Sequence, residues 1–234
     1  MKPKLLYQGA EAKILLNEKE NLIIKERVPK SYRIKELDEK IIKHRTKSEK
    51  KLLEKASKII NAPNPLPLKE FNIIQMPYIK GKKLSEHLDN FPIEKQKKIM
   101  KVVGQETAKL HDNDIIHGDL TTSNLILVEN NMSATQNELN DNKENSINDK
   151  QRSKKRGDIN FQIFFIDFGL GFISQKVEDK AVDLHLIRQA LEAKHFKNWE
   201  TLFNEFLKGY SSSKEADKVL ERLKAVEKRG RYRH

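Results

Sequence analysis

Cysteine is absent from this chain of 234 residues, which excludes disulfides and thiolate metal sites and leaves nothing that calls for an oxidising compartment. Long apolar runs are missing as well: none approaches the roughly twenty residues of a membrane-spanning helix. Residues 1–13 lack the apolar stretch and cleavage site of a signal peptide. The expected setting is the cell interior, cytoplasm or nucleus, with no membrane contact. Glycine is scarce, with nine residues in all, and no segment carries the three closely spaced glycines of a kinase phosphate-covering loop. Acidic residues are outnumbered, 34 against 46 Lys and Arg, for a formal net charge of +12. Such an excess suits an anionic partner.

The polar residues that are present fall into a pattern. His117-Gly118-Asp119-Leu120-Thr121-Thr122-Ser123-Asn124 is followed downstream by Asp167-Phe168-Gly169. Either triplet alone is most simply a turn. Together they match the H-x-D-x-x-x-x-N and D-F-G spacing of a phosphoryl-transfer site. In that chemistry one carboxylate orients the attacking hydroxyl, an amide and a second carboxylate hold magnesium, and a lysine steadies the phosphates of ATP. Asp119 is the candidate orienting base, and Asn124 and Asp167 are the candidate magnesium ligands. The apolar runs Leu125–Val128 and Phe161–Ile166 read as two strands of a hairpin that would bring Asn124 and Asp167 together. His117 has no metal-ligand partner in the pattern and reads as a packed, hydrogen-bonded histidine.

The chain is long enough for two small lobes around a cleft. Residues 4–28 alternate as strand, turn at 17–21, and second strand Leu22–Lys25. Apolar residues recur at helical spacing from Leu37 to Ile60, and the proline-rich segment 61–67 stops that helix. Phe71–Met76 is a further strand. The expected architecture is α+β, a minimal kinase-like fold: a small antiparallel-sheet lobe over 1–79 with one main helix, and a mainly α lobe over 80–234. Helices are expected over Lys83–Asn90, Ile93–Asn113, Asp179–Ala193, Trp199–Gly209 and Lys214–Lys228. Residues 129–158 are polar, nearly devoid of apolar side chains, and far longer than a hairpin loop requires; they read as a disordered insertion. Its basic run 150–156 fits a solvated linker or a nuclear import signal. The lysine-rich stretch 25–58 suits a solvated helix face or an anionic partner equally. The tail 228–234, with Arg229, Arg231 and Arg233 around Tyr232, could neutralise phosphates and stack on a base.

With these residues in view, the chain resembles the small atypical kinase of the KEOPS/EKC complex, the PRPK family, whose members help make threonylcarbamoyladenosine in tRNA. The likeness runs through Gln8-Gly9-Ala10-Glu11-Ala12, Pro29-Lys30-Ser31-Tyr32-Arg33, Arg45-Thr46 with Glu49, the 117–124 loop, 166–171, 178–184, Gly209-Tyr210 and Arg229-Gly230-Arg231. Only 129–158 stands outside it. The resemblance implies ATP and Mg2+ as cofactors. It makes Lys25 the phosphate-contacting lysine and Glu49 its helix partner, with Glu39 and Glu54 as the other acids within reach. It makes Gly9, Ala10, Glu11 and Ala12 a nucleotide-contacting turn, and Gln75, Met76 and Tyr78 the adenine pocket. Asp183 resembles a buried aspartate that accepts hydrogen bonds from the loop. The implied partners are a threonylcarbamoyl-transferase subunit, a small regulatory subunit, and tRNA through the basic faces and tail.

Two departures from ordinary kinases bear on function. Gly118 stands where H-R-D has arginine, and few residues separate Gly169 from the helix holding Asp183, so the activation segment and peptide-docking platform are missing. ATP turnover that switches on the transferase subunit suits this better than docking of a protein substrate. The competing readings are a RIO-like independent protein kinase and a pseudokinase scaffold that binds tRNA and partners.

Overall fold

The computed structural model describes residues 3–129 and 161–230. The expected disordered insertion lies almost wholly outside these residues, as do Arg231, Tyr232 and Arg233 of the tail. Four antiparallel strands open the fold in the order β1-β2-β3-β4: β1 Lys4–Gln8, β2 Ala12–Asn17, β3 Leu22–Arg27 and β4 Ile73–Pro77. Residues 4–17 thus form two strands where the alternation predicts one. The break is at Gly9, whose N–H bonds the Ala12 carbonyl at 3.0 Å and closes a tight turn. The β2–β3 turn ends on Asn21 at φ +54°, a conformation asparagine tolerates.

Helix α1, Lys35–Ala56, sits between β3 and β4. Its buried residues Ile42, Thr46, Glu49, Leu52, Leu53 and Ala56 recur every three to four positions, so one stripe faces inward. The helix ends short of the predicted Ile60. The Ser57 hydroxyl bonds the Glu54 carbonyl, and residues 57–60 continue as tight turns before the prolines.

The remaining elements are β5 Lys82–Lys83, α2 Leu84–His87 with a 3-10 turn Leu88–Asn90, α3 Ile93–Asp112, β6 Ile115–Ile116, a 3-10 turn Thr122–Asn124, β7 Leu125–Glu129, β8 Phe161–Phe165, β9 Phe172–Ile173, α4 Val177–Lys194, α5 Trp199–Tyr210 and α6 Ala216–Gly230. A small sheet β5-β7-β8 and a two-stranded β6-β9 pair complete the topology. Helices α3 and α5 cross backbone to backbone. A Cβ at Gly104 would sit 2.0 Å from the Phe206 carbonyl, and one at Gly209 would sit 2.0 Å from that of Lys101. Only glycine permits this approach. One continuous apolar core runs from Leu53 and Ile74 through Met100, Phe165 and Leu184 to Val219. Among the described residues no helix is long and apolar enough to cross a membrane. This is the small-sheet plus helical arrangement that the sequence pattern predicts.

Candidate active site

Strand β7 pairs antiparallel with β8, Leu125 opposite Phe165, and the Ile166 N–H bonds the Asn124 carbonyl at 3.0 Å. The hairpin therefore carries Asn124 and Asp167 to the same end of the sheet. Asn124 turns its Nδ2 inward, donating to both the backbone carbonyl and a carboxylate oxygen of Asp119 at 2.9 Å each. Its Oδ1 accepts no hydrogen bond among the described residues, so the acceptor side of the amide is available to a cation.

Asp167 adopts φ +62°. The left-handed region is costly for most residues, and an aspartate tolerates it when its side chain bonds the backbone two residues on. That bond is present: Oδ1 accepts the Gly169 N–H at 3.2 Å. The same oxygen accepts the Lys25 ammonium at 2.6 Å. Lys25 also donates to Glu49 Oε1 at 2.7 Å, so one ammonium joins β3, α1 and the Asp-Phe-Gly turn. A Cβ at Gly169 would lie 3.0 Å from Asp167 Oδ1 and 3.4 Å from Lys25 Nζ, within this cluster. Of the acids considered on α1, Glu49 is the one in contact with Lys25.

Electrostatics follow from this geometry. Burial pushes the Lys25 pKa down, but the Glu49 and Asp167 carboxylates more than offset it, and the net direction is up. Burial pushes Asp167 up, and the charge and hydrogen bond of Lys25 outweigh it, so its carboxyl lies below the ordinary range. Both groups are held charged at neutral pH.

The catalytic-type loop is fixed from below. Asp183 on α4 accepts the N–H groups of His117 at 2.6 Å and Gly118 at 2.9 Å. Its Oδ2 also meets His111 Nε2 at 3.3 Å, and His111 Nδ1 meets the Tyr210 hydroxyl at 2.8 Å. His117 packs on Phe168 with ring centroids 4.6 Å apart. The Asp119 N–H donates to its Nδ1 at 3.3 Å, which leaves Nε2–H to donate to the Ile166 carbonyl at 3.2 Å. Burial lowers the His117 pKa despite the nearby acids, in keeping with this neutral tautomer. Gly118 has φ +76°, and a Cβ there would stand 2.2 Å from the Leu170 carbonyl. Glycine replaces the arginine of H-R-D because the backbone conformation and the close approach both require it.

The Gly9–Ala12 turn is tied to α1. The Glu11 carboxylate takes Arg45 at 2.6 Å and approaches Arg27 at 3.8 Å, and Lys30 bonds the Ala10 carbonyl. Glu11 is thus committed to cations of the protein. On β4 the Gln75 carbonyl accepts Leu66 N–H and Met76 is buried in the core; just past the strand the Tyr78 N–H donates to the Asn21 carbonyl. Arg229 reaches back to Glu178 at the start of α4 at 2.7 Å.

Comparison with known proteins gives the family. The model of the RIO domain matches residues 18–134. The chain is 38% identical to the Pyrococcus abyssi "KEOPS complex subunit Bud32", over 98% of this chain and 96% of that protein.

The chain belongs to the Bud32 family.

A second Bud32 relative, the Archaeoglobus fulgidus "Probable serine/threonine-protein kinase BUD32 homolog", is 36% identical over 97% of this chain and 95% of that protein. A third, the Methanobrevibacter smithii "Probable bifunctional tRNA threonylcarbamoyladenosine biosynthesis protein", is 36% identical over 98% of this chain but only 37% of its own length. In that relative a Bud32-like unit shares one polypeptide with a larger remainder. Among solved structures, Chaetomium thermophilum Rio2 kinase has a TM-score of 0.53 at 14% identity, covering 98% of this chain and 70% of that one. WaaP, solved with acyl carrier protein, has 0.55 at 11% identity, covering 97% of this chain and 89% of that one. These two likenesses establish the kinase-like fold of this Bud32-family chain.

Sequence reasoning missed two residues in the site's surroundings. Arg27 lies two positions beyond Lys25 on β3, on the same inward face, and its guanidinium bonds Glu49 Oε2 at 2.5 Å. The strand period of two is the signal that could have found it. His111 has only a tertiary signal: it closes α3 and meets Asp183, 72 residues away in sequence.

Proposed function

We propose that this Bud32-family chain is a magnesium-dependent ATP-binding kinase and ATPase that supports threonylcarbamoyladenosine modification of tRNA as a subunit of a KEOPS-type complex. The observation that carries the reading is the Lys25 ammonium shared by Glu49 and Asp167, beside an Asp119 carboxylate bonded to Asn124. A lysine pinned by a helix carboxylate is a positioned charge for phosphates, and an aspartate braced by a loop amide is positioned to orient a hydroxyl or water.

The residues present suit magnesium. Asp167 offers a half-exposed carboxylate and Asn124 an amide oxygen. Among the described residues no group of three or more His, Cys, Asp or Glu is arranged to hold a metal. Magnesium asks for less, since it typically takes one or two protein carboxylates and completes its shell with water and substrate phosphates. When bound, it neutralises charge on the transferred phosphoryl group. The protein's own part is to hold Asp167 and Lys25 ionised, to present the Asn124 oxygen, and to keep Asp119 oriented through Asn124 and the His117 ring. Adenine would lie along β4 against Gln75, Met76 and Tyr78, with the Gly9–Ala12 turn over the phosphates.

The short path from Asp-Phe-Gly to α4, seven residues holding only β9, leaves no platform for a peptide substrate and favours ATP turnover coupled to a partner. The bifunctional relatives support the same view, because there a Bud32-like unit is covalently joined to the rest of a tRNA threonylcarbamoyladenosine biosynthesis protein. The expected partners are the threonylcarbamoyl-transferase subunit, a small regulatory subunit, and tRNA engaged through basic faces and the tail around Arg229. The RIO match favours a second reading, an independent protein kinase.

Turnover of Mg–ATP by the purified chain should be slow and should rise when the transferase subunit and tRNA are added. Asp167→Ala should abolish it. Equal rates with and without those partners, together with efficient phosphorylation of added protein, would favour the RIO-like reading. Turnover untouched by Asp167→Ala would remove the site altogether.

A further inference from the structure

We infer that Arg27 is a positioning residue for the nucleotide site: its guanidinium holds Glu49, and through Glu49 the phosphate-facing Lys25, in place. The inference rests on reading this cleft as a Mg–ATP site. On β3, Lys25 and Arg27 are 7% and 5% exposed, and Glu49 on α1 is 1% exposed. A carboxylate this deep needs both oxygens satisfied. Lys25 serves Oε1 at 2.7 Å and Arg27 serves Oε2 at 2.5 Å.

The two cations are not equivalent. Lys25 divides its hydrogen bonds between Glu49 and Asp167, and in the proposed function it must also face phosphates. Arg27 has Glu49 as its close acidic partner, and its other nitrogen only approaches Glu11, at 3.8 Å. Its Nε is buried without a partner, so the guanidinium is placed for Glu49 at the expense of its own full satisfaction. Planar, permanently charged and rigid in its fork, arginine suits this task better than lysine.

Arg27 also spans three elements. Its backbone N–H bonds Asn72 ahead of β4 at 2.9 Å, it pairs with Ala12 at the start of β2, and its side chain lies between α1 and the Glu11 turn that Arg45 grips from the helix. In ordinary protein kinases the lysine–glutamate pair is made or broken by movement of its helix, under control of the activation segment. This chain has seven residues between Gly169 and α4, too few for such a segment. Arg27 supplies a fixed internal restraint on α1 in its stead.

The test uses the full chain and two readouts: kcat and KM for Mg–ATP, and amide hydrogen exchange of the nucleotide-free protein. Arg27→Met removes the charge at similar volume, Arg27→Gln keeps a donor, and Arg27→Lys keeps the charge; each is made alone and with Glu49→Gln. Arg27→Met should lower kcat/KM by about tenfold or more. It should also speed exchange over residues 45–53 of α1 while α3 and α5 stay protected. Arg27→Lys should recover part of the loss, since it keeps the charge without the planar fork. In the Glu49→Gln background, Arg27→Met should change turnover by less than about twofold, because the group it acts through is gone.

Wild-type turnover and exchange in Arg27→Met would overturn the inference. So would the same fold-loss in both backgrounds, or protection lost throughout α3 and α5. If Arg27→Met does not fold, Arg27→Gln is held to the same comparisons. A wild-type protein that turns over no ATP would defeat the proposed function instead, and the exchange measurement would still decide whether Arg27 holds α1.

Discussion

The sheet-bearing amino-terminal part and the helical remainder of this molecule share one apolar core but differ in what is added to it. In the helical part, Leu84, Leu88, Ile99, Met100, Val103, Leu184, Ile187, Leu191, Phe206 and Tyr210 are all fully buried, and α3 meets α5 at glycines. Close-packed apolar contact of this kind resists small displacements. In the amino-terminal part, every residue of β1 is exposed, and the interior carries Lys25, Arg27, Asp38 and Glu49 as buried charges. Beside the apolar stripe of Leu52, Leu53 and Ala56, charge pairs from Lys25 and Arg27 to Glu49 tie α1 to the sheet. The difference matches the division of labour proposed for the cleft: the closely packed part carries Asp119 and Asn124, and the charge-tied part carries Lys25.

The sharpest way to break this comparison is a pair of truncations. Leu184→Ala, in the packed half, should cost about 2–5 kcal/mol of unfolding free energy in urea titrations. Leu5→Ala, half exposed on β1, should cost within about 0.5 kcal/mol. Similar costs would show that β1 is packed as closely as α4.

Next in size is the hydrogen-bonded support of the loop. Asp183→Ala leaves the buried N–H of His117 without an acceptor, at about 1–3 kcal/mol, and frees the half-buried N–H of Gly118 to water. The same change should lower kcat for ATP far more than it raises KM, since it loosens Asp119 and leaves Lys25 untouched. An equal effect on both constants would show that the loop and the lysine are not separately held.

The smallest expected effect is acidification, and its sign differs between groups. His117 has a folded pKa below that of the unfolded chain, so the unfolded state takes up its proton first. Its contribution is intact above the unfolded value and is lost as pH falls from about 7, by at most about 1.4 kcal/mol per pH unit. Asp167 is also depressed, but from the carboxylate range, so its contribution is lost only in more acidic solution. Lys25 is raised, and its contribution is complete below the unfolded lysine value and lost at strongly alkaline pH. Melting temperature between pH 7 and 5 should therefore fall less in His117→Asn than in wild type, each measured against its own value at pH 7. An unchanged slope would mean that His117 does not titrate on unfolding.

Much of the candidate site was legible in the sequence. The D-x-x-x-x-N and D-F-G spacing marked Asp119, Asn124 and Asp167, and the hairpin between them followed from two apolar runs flanking a polar gap. The long helices were legible to within a few residues because a stripe repeating every three to four positions is a local property. Strands β5, β6 and β9 were not. Each has two residues and exists only through its pairing partner, Lys82 with Leu127 and Ile115 with Ile173.

What the sequence determined by itself is the set of elements and the identities of the chemical groups, because period, turn chemistry and motif spacing act over a few neighbouring residues. The tertiary structure alone decided that Arg27 takes the second oxygen of Glu49 and that Glu11 faces α1. It also decided that Gly118 is required by a positive φ and by the Leu170 carbonyl beside it. Those outcomes depend on distances between elements far apart in the chain, and charge pairing and steric exclusion at a few ångströms are set only once the packing is complete.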